Sequence, residues 1–154
     1  MCCDQVLLDL DLADVLGAAE VSVHADLAAI PASARRARLI VGAALTDDGS
    51  DFADGVVWTA QLLASELVAN GIMHARTHMH LGVVHDERMV LIAVNDGGRE
   101  LPRATLPRNF DFEEAGRGMT IVASLADDFG WHENDHDTGK TTWALLTLDA
   151  SSPG

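Results

Sequence analysis

Cations are scarce in this chain. Ten Lys and Arg stand against 24 Asp and Glu in 154 residues, a net charge of −14. That field repels nucleic-acid phosphates and anionic membranes, so direct nucleic-acid or membrane binding would need a local basic patch. Long apolar runs are also missing, and none approaches the ~20 residues of a membrane span. The start, Met1-Cys2-Cys3-Asp4, has neither a positive n-region nor an apolar h-region, so no secretion signal is expected there. The two cysteines are neighbours, which excludes a disulfide between distant segments. A reduced, cytoplasmic setting is the default expectation. No internal repeat or low-complexity segment occurs.

What is present suits one folded domain. Hydrophobic residues make up 48% of the chain, and mean hydropathy is +0.12, enough for a single sizeable core. The expected organisation is an acidic lead over 1–17, a domain over 18–149 and a tail over 150–154. Alternation predicts a short strand at Val21–His24. Pro31 opens a predicted helix over Ala32–Leu45. Apolar residues from Val57 to Ile72 recur at helical spacing and predict the longest helix, Asp54 to about Ala75. Strand-like runs at Thr77–Val84 and Met89–Val94 suggest a hairpin. Residues 97–115 hold two prolines and no periodicity, the pattern of a functional loop or lid. A helix at Met119–Ala126 and strands at Phe129–Trp131 and Thr141–Leu148 complete the order. Strand–helix–strand winding is absent, which argues against Rossmann and P-loop architectures. The expected fold is α+β: a two-layer sandwich, helices on one face of a mostly antiparallel sheet.

Three segments carry the chemistry. In Glu66-Leu67-Val68-Ala69-Asn70-Gly71-Ile72-Met73-His74-Ala75, a carboxylate, an amide and an imidazole recur every four residues, on one helical face. Glu66 is a candidate general base, and Asn70 a candidate oxygen ligand for Mg²⁺. A solvated polar stripe would give the same spacing. Asp96 follows the apolar run Val90–Val94 and precedes Gly97 and Gly98. It can accept from an exocyclic amine such as that of adenine, or simply end a strand in an Asp-Gly turn. Gly116-Arg117-Gly118-Met119 places glycines and a cation where a helix begins, an arrangement suited to phosphate. Arg99, Arg103, Arg108 and Arg117 cluster around it, the signature of a small-anion site in an acidic protein.

Two other constellations carry less. Gly139-Lys140-Thr141 resembles the end of a Walker A loop, but Asn134 stands where the upstream glycine belongs and a strand follows. His74, His78, His80 and His85 suggest zinc, yet no cysteine or carboxylate completes a plausible ligand set.

In order and spacing, these segments resemble the ATP-binding domain shared by gyrase, histidine kinases and mismatch-repair ATPases, the GHKL or Bergerat fold. The chain most resembles the small anti-sigma-factor serine kinases, over about residues 20–149. The first segment matches the N box, and Asp96-Gly97-Gly98 and Gly116-Arg117-Gly118-Met119 the two glycine boxes. Leu125-Ala126-Asp127 and Gly139-Lys140-Thr141-Thr142-Trp143 match the closing segments. The resemblance implies an adenine contact at Asp96, a Mg²⁺ ligand at Asn70 and a base at Glu66. It implies phosphate contacts around Gly116 to Gly118, a Thr141 or Thr142 hydroxyl near adenine, and an ATP lid over 99–115. It further implies a homodimer that binds a sigma factor and phosphorylates a serine on an antagonist protein. Gly71 departs from the family's usual alanine, at a cost to the helix of up to ~1 kcal/mol, and Met73 replaces a position often basic. No phosphoacceptor hairpin is present, so a complete histidine kinase is excluded. Two functions follow: a Mg²⁺-ATP-dependent protein kinase, or a module that uses ATP only to switch partner affinity. Retention of Glu66 favours the first.

Overall fold

A computed structural model describes residues 21–46, 52–97, 114–133 and 139–148, with backbone alone at 21–22, 114–119 and 132–133. The lead at 1–17, Gly98 and the lid segment through residue 113 lie outside the described residues.

The elements run β1 (Val21–Leu27), α1 (Ala32–Thr46), α2 (Asp54–His74), β2 (Met79–His85), β3 (Met89–Asp96), α3 (Glu114–Leu125), β4 (Asp128–Glu133) and β5 (Lys140–Thr147). All described strand pairs are antiparallel, in the order β1-β2-β3-β5-β4. The expected hairpin is β2–β3. Its turn is held by Asp86, whose Oδ1 accepts from the backbone N–H groups of Arg88 and Met89 at 2.7 and 2.9 Å. Such a carboxylate clamp replaces part of the backbone hydrogen bonding a turn gives up. At the other edge, Asp127 Oδ2 accepts from the Thr147 N–H at 2.6 Å and tethers the α3–β4 connection to β5.

The helices pack on one face of the sheet. Val41 and Leu45 of α1, Leu63 and Leu67 of α2 and Val122 of α3 meet Leu81, Val83, Ile92 and Ala144, all fully buried. On the opposite face Val84, Leu91, Ala93 and Trp143 form a second buried cluster. Helix α2 is long and apolar enough to cross a membrane by length and composition. Its Ala60, Leu63, Ala64, Leu67 and Val68 are fully buried inside the domain, which accounts for that apolarity.

The third helix begins five residues before the expected Met119. Glu114 and Ala115 are strong helix formers and start the helix ahead of the glycines. Gly116 therefore falls in its first turn and Gly118 in its second.

Candidate functional site

Strand register builds the floor of the site. Leu27, Met79, Asp96, Lys140 and Glu133 lie in one row across all five strands. The C-terminal half of α2 closes over this row. A Cβ on Gly71 would lie 2.5 Å from Met79 Sδ and 3.7 Å from Asp96 Oδ2. The missing side chain thus lets the helix settle onto the carboxylate, which explains the departure from alanine in terms of packing.

Asp96 is 3% exposed. Its Oδ1 accepts from Lys140 Nζ at 3.1 Å, and both side chains are 1% exposed. The next residue, Gly97, donates its N–H to Thr77 Oγ1 at 2.8 Å, locking the Asp-Gly turn to the α2–β2 connection. On the facing strand Gly139 has φ +149°, and a Cβ there would run into the Asp96 carbonyl oxygen. Only glycine fits that approach, and it sets Lys140 directly opposite Asp96.

Asn70 is 5% exposed, and neither its amide oxygen nor its nitrogen has a hydrogen-bond partner. A buried amide costs about 1–3 kcal/mol when unsatisfied, and such groups mark places where a ligand is expected. Thr142 is similar, with a buried and unpartnered hydroxyl. It shares the helix-covered face with Ala144 and Leu146, whereas Thr141 alternates to the face that carries Trp143. Glu66 stands one helical turn before Asn70 and is half-buried. Burial raises its carboxyl above the ordinary value of 4.5, against the opposing pull of the Arg38 guanidinium from α1.

The structure therefore brings together Asn70, Gly71 and Asp96, with Glu66 one turn away on α2 and Thr142 on the same sheet face. Gly116, Arg117, Gly118 and Met119 lie in the opening turns of α3, where the first backbone N–H groups have no intrahelical acceptor. The histidines scatter. His85 packs edge-on against Phe52, while His80 lies on the outer sheet face with its Nδ1 2.9 Å from Asp26 Oδ1. The hydrogen bond and charge of His80 hold the Asp26 carboxyl below its usual range. Among the described residues, no three His, Cys, Asp or Glu are grouped to hold a metal.

Lys140 was not among the residues expected to form the site. It is the chain's single lysine, and it is wholly buried. The available signal was a lone lysine directly after a glycine at the start of a strand. Thr77 gave no signal of its own.

The donor set fits a magnesium nucleotide. Mg²⁺ commonly takes only one or two protein oxygens beside phosphates and water, and Asn70 offers one buried, unpartnered amide oxygen. The carboxylate of Asp96 and the hydroxyl of Thr142 suit the edge of a purine.

A two-layer α+β domain whose central helix carries Glu and Asn above a strand-end Asp defines a class of nucleotide-binding folds. The model of the histidine kinase-like ATPase domain matches residues 27–146, and the chain belongs to that family. No curated protein matches the chain significantly.

Proposed function

We propose that this chain is a regulatory kinase of the anti-sigma type. It binds Mg²⁺-ATP, phosphorylates a serine on an antagonist protein and sequesters a sigma factor, acting as a homodimer. The observation that carries this reading is the buried, unpartnered Asn70 amide beside Asp96, one turn from a carboxylate suited to base chemistry.

Each residue has a role in that reading. Asp96 accepts from the adenine amine, and the Thr142 hydroxyl stands near the same edge. Asn70 presents its amide oxygen to Mg²⁺. The N–H groups opening α3, with Arg117, face phosphate oxygens. The nucleotide supplies the γ-phosphoryl group when bound. Glu66 takes the proton of the acceptor serine as its oxygen bonds to phosphorus. Its raised proton affinity suits a base better than an ordinary carboxylate would be suited.

Calorimetric titration with ATP and Mg²⁺ tests the site. Wild type is expected to bind in the micromolar range. Asp96→Asn should abolish binding, and Asn70→Ala should weaken it by about tenfold or more, in line with loss of one hydrogen-bonded or charge-assisted contact. A folded wild-type protein that ignores ATP would leave a nucleotide-free interaction domain instead. Binding without phosphoryl transfer to any serine-bearing partner would favour the ATP-switched module.

A further inference from the structure

We infer that Lys140 is the positioning residue of the base-recognition carboxylate, and that it sets the preference for adenine over guanine. The inference rests on the nucleotide-site reading above. Its basis is the division of Asp96 between two directions. Oδ1 is held by the Lys140 ammonium at 3.1 Å, while Oδ2 faces the space left by the absent side chain of Gly71.

A carboxylate this deeply buried is stable as an anion only beside a counter-charge. Lys140 supplies that charge from the adjacent strand, held in register by Gly139. With the ammonium in place, Asp96 is acceptor-only and matches the N–H donors of an adenine amine. Without it, the buried carboxyl takes up a proton and becomes a donor, which opposes an amine and suits the carbonyl oxygen of guanine. An ammonium has three donors, so holding Asp96 leaves Lys140 further hydrogen-bonding capacity in the loaded site. Glu133 lies opposite Lys140 on the far strand, so a second carboxylate residue shares the row.

The test compares ATP and GTP affinities, measured by titration with Mg²⁺, in wild type, Lys140→Met and Lys140→Arg. Wild type should prefer ATP by about a hundredfold or more, since a site built around a hydrogen-bonding group rejects a mismatched partner strongly. Lys140→Met should lower that ratio at least about tenfold, and Lys140→Arg, which keeps a cation on the carboxylate, should restore most of it. Equal loss of affinity for both nucleotides would make Lys140 purely structural and overturn the inference. Tighter ATP binding by Lys140→Met would overturn it too, by showing that the ammonium competes with the base. Absence of ATP binding in wild type would sink the nucleotide reading itself, a separate and recognisable result.

Should Lys140→Met fail to fold, the wild-type protein still decides. With ¹⁵N-lysine it carries one side-chain ammonium signal. That signal should stay protected from solvent exchange and shift when ATP saturates the site. Its loss on ATP binding would mean that Lys140 leaves Asp96, and the inference would fall.

Discussion

Glu66 and Asn70 sit on the same helix face, yet burial acts on them in opposite ways. For Asn70 it leaves an amide without partners; for Glu66 it favours the neutral carboxyl. A group whose folded pKa is raised adds stability below its unfolded value of 4.5, and that contribution is lost as pH rises through the folded value. Glu66→Gln should therefore raise the melting temperature at neutral pH, and the gain should disappear below pH 4.5. The same substitution should abolish phosphoryl transfer while leaving ATP affinity nearly unchanged, because the base touches the acceptor rather than the nucleotide. In wild type, the acid limb of kcat/KM should lie above that of an unperturbed glutamate. A limb at the ordinary glutamate position would remove Glu66 from the base role. The roles of Glu66, Asn70 and Asp96 were readable as spacing in the sequence. The Lys140–Asp96 pair was not, because it spans 44 positions and exists only through the β3–β5 register.

Periodicity found the helices and strands whose two faces differ, and failed where they do not. Strand β5 is buried on both faces along nearly its whole length, so alternation could not tell Thr141 from Thr142. The start of α3 was misread because its glycines look like a boundary, whereas Glu114 and Ala115 carry the helix through them. Helix α2 ends in a way its sequence did not announce. Arg76 follows the Ala75 cap at φ +56° and donates its N–H to the Gly71 carbonyl at 3.2 Å. The left-handed turn usually belongs to glycine and costs other residues roughly 1–2 kcal/mol. Arg76→Gly should raise stability to chemical denaturation by about 0.5–1 kcal/mol, the relief being partly offset by the more flexible unfolded chain. A loss of stability would mean that the Arg76 side chain contributes more than its backbone costs.

At the scale of the whole molecule, the domain couples a well-packed sheet to a site with unsatisfied groups, so ligand and stability are linked. Saturating Mg²⁺-ATP at a hundredfold excess over Kd should add about 2.7 kcal/mol. For a domain of this size that is a rise in Tm of roughly 5–11 °C, at about 2–4 °C per kcal/mol. No shift would count against nucleotide binding. The two-layer α+β architecture was legible in the order of the sequence patterns, since an apolar helix between two strand runs has few ways to cover a sheet. The second buried cluster around Trp143 was not, because nothing local marks a strand as covered on both sides. One consequence concerns the folded surface as a chemical target. Since the chain's only lysine is sealed against Asp96, amine-reactive labels, cross-linkers and acetylating enzymes find no lysine side chain on the closed domain. The rate at which Lys140 becomes acylated is therefore a clock for the opening of the site, read from a single modified position.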